Sequence, residues 1–231
     1  MHRTLAKKCA ELSLLSYRYA NISDRATDIQ AIAQQTDKYL IFAFRGSSSL
    51  RDWWTNIRFN HLVYPWEHDY QGDVRMHQGI SEAYKSIRDR VFTWADACNL
   101  PIITTGHSQG GMLALVAAVD LQYNFGQGSL RASNAQRCDQ PAVSRQVASA
   151  PVGQVLPGRK TACISFGSPA VGNEAFRESC RDRISCLNYV NRGDIIPFLL
   201  PHNKHQDITW TGKFYFNPHH IKNYIKSETV R

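Results

Sequence analysis

No run of about 18 consecutive apolar residues occurs in the 231-residue chain, so the sequence offers no bilayer-spanning helix. The opening stretch, MHRTLAKKCAELSLLSYRYA, lacks both an uninterrupted apolar segment and a small-residue cleavage site. It reads as a first helix, with Leu5, Leu12 and Leu15 at near-helical spacing, and not as a signal peptide. Cytoplasmic residence, or export by a route that needs no cleaved signal, is the matching expectation. Six cysteines are present (Cys9, Cys98, Cys138, Cys163, Cys180, Cys186), but no two are spaced C-x-x-C, so neither a zinc site nor a dithiol redox centre is expected. They read as reduced thiols in a core, with Cys180 and Cys186 near enough in sequence to meet. A long Lys/Arg block is also missing: 27 basic against 19 acidic residues give +8, spread singly along the chain. The positive balance admits nucleic acid or an anionic membrane surface and composition does not choose between them, but the single spread suits a solvated face better than a nucleic-acid groove, and no nucleic-acid partner is expected. No internal repeat is visible.

What is there is the material of a core. Hydrophobic residues make up 43% of the chain, too many for disorder, and the length suits one globular domain over residues 1–231. Strand-like and helix-like segments alternate, which predicts an α/β fold with a largely parallel sheet. YLIFAF (39–44) is a β-rich run closed by Arg45-Gly46. Between 79 and 97, Ile80, Ala83, Tyr84, Ile87, Val91 and Trp94 recur at three- and four-residue steps and predict one helix. PIITT (101–105) predicts a buried strand, MLALVAAVDLQ a helix buried on the sheet, ACISF (162–166) and CLNYV (186–190) two more strands, and 173–182 a helix. The stretch 123–160 is rich in Gly, Ser, Gln, Ala and Arg and reads as a loop or insertion.

Gly106-His107-Ser108-Gln109-Gly110 is a G-x-S-x-G sequence set between the predicted strand PIITT and the predicted buried helix. Such a turn holds serine on strained backbone and needs small neighbours so that strand and helix can close upon it; it lifts the hydroxyl toward substrate. Positive partial charge at the helix start would also stabilise an oxyanion formed at Ser108. Serine is a poor nucleophile at its free pKa, so a base and an orienting carboxylate must follow. In this arrangement they come in the order Ser, acid, His, which leaves His202, His205, His219 and His220 as candidate bases. Asp194 is the candidate acid, because Asn191-Arg192-Gly193-Asp194 follows CLNYV at the carboxyl edge of the sheet. Glu178 and Asp182 fall on a predicted helix that faces solvent, and His77 and His107 read as packing or hydrogen-bonding residues near the site.

The chain resembles the class 3 lipases, α/β-hydrolases that include the fungal triacylglycerol lipases. Phe44-Arg45-Gly46-Ser47 is similar to the family's oxyanion loop, and Val74-Arg75-Met76-His77-Gln78-Gly79 to its V-H-x-G-like segment. Phe166-Gly167-Ser168-Pro169 with Val171-Gly172-Asn173 resembles F-G-x-P-x-V-G-N, and Asp194-Ile195-Ile196-Pro197 resembles D-I-V-P. The resemblance implies an α/β-hydrolase fold with a mostly parallel sheet flanked by helices. It implies Ser108 as nucleophile, Asp194 as acid, and Ser47 and Gln109 as oxyanion donors. Comparing Asn217-Pro218-His219-His220-Ile221 with the family's C-terminal segment points to His219 as base, with His220 as the alternative. The implied activity is a serine ester hydrolase acting on lipid esters, triacylglycerol or phospholipid, through an acyl-enzyme, with no metal or organic cofactor. A phospholipase effector and a feruloyl-type esterase are alternatives; a catalytically silent lipid-binding module is the non-enzymatic one.

Leu50, Trp53, Trp54 and Ile57 form an apolar stripe opposite Arg51, Asp52, Asn56 and Arg58. By position the segment 48–60 corresponds to the lid of the fungal lipases, an amphipathic helix that would turn its apolar face to an anionic lipid surface; a surface helix packed on the core is the alternative.

Overall fold

A computed structural model of the chain describes residues 2–47, 61–63, 73–126, 158–181, 183–200, 207–227 and 230. The lid expected over 48–60 lies outside these, with Leu50, Trp53, Trp54 and Ile57, as do most of the expected insertion, Cys138, His202 and His205. Nine strands are described: β1 (Ile22–Asp24), β2 (Ile29–Gln35), β3 (Leu40–Phe44), β4 (His61–Val63), β5 (Arg75–His77), β6 (Ile102–His107), β7 (Thr161–Phe166), β8 (Ser185–Arg192) and β9 (Ile208–Phe214). The helices are α1 (His2–Leu15), α2 (Gln78–Lys85), α3 (Arg88–Asp96), α4 (Gln109–Phe125), α5 (Glu174–Arg181) and α6 (Ile221–Lys226).

Seven strands form one sheet in the order β1-β2-β3-β6-β7-β8-β9, and β4 pairs with β5 separately. The β1-β2-β3 meander is antiparallel; from β3 to β9 every pairing is parallel. Parallel strands need crossovers, and α4 supplies the one from β6, packing on β3, β6 and β7. From Gly110 to Leu121 every residue of α4 is buried, as an all-round apolar sequence requires. One polar exception, Asp120, is fully buried and accepts from Tyr84 Oη at 2.9 Å and from the Arg88 guanidinium, which ties α2 and α3 to α4.

The opposite face of the sheet is covered by α1 and α6. The first helix read from Leu5, Leu12 and Leu15 is present as α1: Leu12 is buried and Leu5 packs on the core, while Leu15, at the end of the helix, is 44% exposed. The buried face also carries Ala6, Cys9, Ala10 and Ser13, with Ser16 buried just past the helix. Small side chains let the helix approach closely enough for Ser13 Oγ to reach Thr105 Oγ1 at 3.2 Å.

Two expectations change. The helix over 79–97 is broken into α2 and α3, because Ser86 Oγ bonds the Ala83 carbonyl at 2.9 Å and Thr27 Oγ1 at 2.8 Å, competing with the helical ladder. The loop expected from 123 begins later, because Tyr123, Asn124 and Phe125 complete α4; Asn124 Nδ2 donates back to the Asp120 carbonyl at 2.8 Å. The five described cysteines are unpaired thiols. Burial lifts Cys9 and Cys163 to about 12, so they stay protonated.

Candidate active site

The turn between β6 and α4 is built as its sequence demands. Ser108 has φ 58° and ψ −127°, a left-handed backbone that a non-glycine residue adopts at a cost of about 1–3 kcal/mol. Neighbours hold it there: its N–H donates to the Phe166 carbonyl at 3.0 Å, and its own carbonyl accepts from Gly111 N–H at 2.9 Å. A Cβ on Gly106 would fall on the Gly110 carbonyl, and one on Gly110 would fall on the Phe44 carbonyl. The two glycines therefore let strand, helix and the β3 exit close together, and Ser47 follows directly on that β3 exit. Although Ser108 occupies the N-cap position of α4, its Oγ caps nothing; it is buried and without a hydrogen-bond partner. Gln109 is the first residue of α4, where backbone N–H groups have no intrahelical acceptor and the helix dipole is positive.

Asp194 follows β8 and is 3% exposed. Its carboxylate accepts three hydrogen bonds: His219 Nδ1–H at 2.8 Å and Tyr224 Oη–H at 2.6 Å on Oδ2, and Ile196 N–H at 3.0 Å on Oδ1. Burial and the Asp194 charge push the Tyr224 phenol well above its ordinary pKa, which keeps it a donor. Because a carboxylate only accepts, the proton of neutral His219 sits on Nδ1, and Nε2 carries the lone pair. That Nε2 is buried and without a hydrogen-bond partner, as Ser108 Oγ is. His220 is placed elsewhere: exposed, it caps α6, with Nδ1 accepting from Lys222 N–H at 3.1 Å. Of the two adjacent histidines, His219 is the one brought to Asp194.

Gly167, with φ 57°, joins the two halves. Ser108 bonds the residue before it, and a Cβ on it would press on Tyr224 Oη, Asp194 Oδ2 and His219 Cε1 at 2.7, 2.9 and 3.2 Å. No side chain but hydrogen fits both that backbone and that gap.

Two positioning groups were not legible in the sequence. Asn191 Nδ2 donates to the Pro218 carbonyl at 2.6 Å while its Oδ1 accepts from Thr211 Oγ1 at 2.5 Å, which fixes the chain just before His219. From the other side His107 Nε2–H donates to the His219 carbonyl at 2.5 Å, and Tyr17 Oη–H at the end of α1 donates to His107 Nδ1 at 3.0 Å. The carbonyl acceptor fixes the tautomer of His107. Nothing in the local sequence links residue 17 to residue 219, although the expectation that His107 hydrogen-bonds near the site is met. His77 is also buried, its N–H donating to the Val171 carbonyl at 2.8 Å.

Burial, and next the electrostatic influence of the neighbouring His219 ring, hold the His107 pKa well below the usual imidazole value. Near pH 7 both folded and unfolded chains keep this ring neutral. Below about 6.5 the unfolded chain takes a proton that folded His107 refuses, so stability falls with falling pH, by at most about 1.4 kcal/mol per unit. Melting temperatures of wild type and His107→Asn across this range are expected to diverge, the variant showing the shallower loss; parallel curves would refute it.

A serine on a strand-turn-helix elbow, with an acid-bound histidine at the same carboxyl edge of a mostly parallel sheet, defines an α/β-hydrolase. Within that class the chain belongs to the class 3 lipase family, whose sequence profile matches residues 41–204. It is 29% identical over 181 residues to a lipase of Rhizomucor miehei, covering 76% of this chain and 41% of that protein, so it spans less than half of that relative's length. Its fold is similar to that of the Rhizomucor miehei lipase in a propeptide complex, with TM-score 0.63 and 21% identity over 92% of this chain and 65% of that one. It is also similar to a triacylglycerol lipase whose catalytic centre is a serine protease triad, with TM-score 0.63 and 20% identity over 92% of this chain and 78% of that one.

Proposed function

We propose that the chain is a serine hydrolase of lipid esters, with Ser108, His219 and Asp194 as its catalytic triad. One observation carries the reading: His219 is anchored through Nδ1 to a buried carboxylate, leaving Nε2 unpartnered, while Ser108 Oγ on the strained turn is unpartnered as well. Leaving two buried polar atoms unpaired costs roughly 1–3 kcal/mol each, which a fold tolerates where chemistry needs them.

In this scheme His219 Nε2 takes the proton from Ser108 Oγ as Oγ attacks the ester carbonyl, and Asp194 stabilises the imidazolium through Nδ1–H. Backbone N–H groups of Gln109 and Ser47, with the Ser47 hydroxyl, receive the oxyanion; each good donor contributes a few kcal/mol in the transition state. His219 returns the proton to the departing alcohol, leaving Ser108 acylated. Water, deprotonated by His219, then attacks the acyl carbonyl; the acid departs and Ser108 regains its proton.

Triacylglycerol is the first substrate to test, because the relatives named above are lipases, one of them a triacylglycerol lipase. Incubation with mixed triacylglycerol and phospholipid, followed by lipid mass spectrometry, is expected to show fatty acid release and diacylglycerol accumulation. Lysophospholipid as the sole product would move the substrate class to phospholipids, and feruloyl-ester turnover alone would move it off lipids. Binding to vesicles with no turnover of any ester would leave a catalytically silent lipid-binding module.

A further inference from the structure

We propose that the aromatic face at the outer edge of the sheet, formed by β9 and the turn Ile196–Phe198, is the surface by which the protein docks on an anionic lipid layer. The pattern of β9 is inverted for an edge strand. Its sheltered position is a threonine, Thr211, fully buried on Asn191, while Trp210 is 51% and Phe214 74% exposed and Phe216, just beyond, wholly so. Phe198 stacks on Trp210 with ring centroids 5.8 Å apart and planes 12° apart, and Leu199 is exposed beside it. Of the ten large exposed hydrophobics among the described residues, six fall between Ile195 and Phe216. Scattered apolar surface needs no explanation, but a concentration of aromatics on one edge marks an interaction surface.

Charge selects the occupant. Arg192 is exposed and lies across from Phe214 in the strand register, and Lys213 lies on β9 itself. Of the four lysines that the sequence has between Ile195 and Ser227, Lys213 is the one on β9, Lys222 and Lys226 are on α6 and Lys204 lies outside the described residues; Asp207 is the single acid in that stretch. That acid precedes β9, at the far end of the strand from Phe214, and interacts electrostatically with Arg177. Two copies meeting through this edge would bring like charges together. An anionic bilayer instead accepts cations at its phosphates and aromatic rings at the headgroup boundary. The face also adjoins the site: the Phe214 ring lies against Gly193, next to Asp194, and Phe216 is three residues before His219. The inference rests on the lipid-ester reading, since a lipid surface is where such a substrate is met.

The test uses the full chain carrying Ser108→Ala, so that no lipid is consumed, and vesicles of phosphatidylcholine with a minority of phosphatidylglycerol. Adding Trp210→Ser, Phe214→Ser and Phe216→Ser is expected to lower the vesicle partition coefficient by at least about tenfold, with melting checked in parallel. Phe216→Ser alone, at a side chain wholly exposed to solvent, is expected to lower it about threefold and serves if the triple variant misfolds. Arg192→Glu is expected to weaken binding to the mixed vesicles and not to pure phosphatidylcholine. Unchanged partition would overturn the proposal. So would loss of a concentration-dependent dimer in the triple variant, or displacement of vesicles by single-stranded DNA. Turnover of a short dispersed ester by the wild type, measured separately, reports on the hydrolase reading: if it is absent while vesicle binding follows this pattern, that reading fails and the docking face stands.

Discussion

Replacing Ser108 by alanine is expected to lower kcat for a short p-nitrophenyl ester by about a hundred-thousandfold or more, with the melting temperature nearly unchanged. The size follows from the proposed mechanism: without Oγ no acyl-enzyme could form, and only the proposed oxyanion donors and binding would remain. The small stability effect follows from the geometry. Alanine at φ 58° meets the same strain as serine, the hydroxyl makes no hydrogen bond that folding would lose, and the N–H to Phe166 contact is a backbone one. Steady-state kinetics beside thermal melting check both halves. Retained turnover would remove Ser108 from the mechanism, and a large melting shift would make the loss of activity uninformative.

Asp194→Asn carries the second largest expected effect, about ten-thousandfold in kcat with KM changed little. The native carboxylate accepts from His219, Tyr224 and Ile196, three donors that need three acceptor sites. An amide supplies one oxygen and a pair of donors. With its NH2 turned to His219, Nδ1 must accept, the ring proton moves to Nε2, and the lone pair that the proposed mechanism needs on Nε2 is lost. With its oxygen turned to His219, the NH2 faces Ile196 N–H, donor against donor in a buried site, at a cost of about 1–3 kcal/mol. Either orientation leaves the substrate-facing surface unchanged, so the loss falls on kcat. A drop of less than about tenfold would mean that Asp194 does not orient the base.

How much of this was legible in the sequence depends on range. The elbow is a five-residue pattern found from local spacing alone, although its second glycine answers to a contact from far along the chain, the Phe44 carbonyl at the end of β3. Asp194 followed from the strand before it. His219 needed the family's C-terminal pattern, because two adjacent histidines are equivalent by spacing and only the fold turns one to Asp194 and the other to the start of α6. The supporting bonds were illegible for a physical reason: Tyr17 to His107 and Asn191 to Pro218 join segments far apart in sequence, and no local pattern encodes a hydrogen bond between side chains on separate elements. In the same way β9 carries a register irregularity opposite Asn191 and Arg192, which hides its alternation. The leucines found α1, but not the Ala, Cys and Ser that close approach to the sheet places on its buried face beside Leu12.

Reaction with a fluorophosphonate probe, followed by peptide mapping, tests the central claim most directly, since a phosphonyl adduct forms only on a serine that a neighbouring base activates. The account predicts one adduct, on Ser108, lost in Ser108→Ala and formed far more slowly in His219→Ala and Asp194→Asn. An adduct on Ser47 or Ser168 instead, or labelling of Ser108 at the same rate without His219, would contradict it.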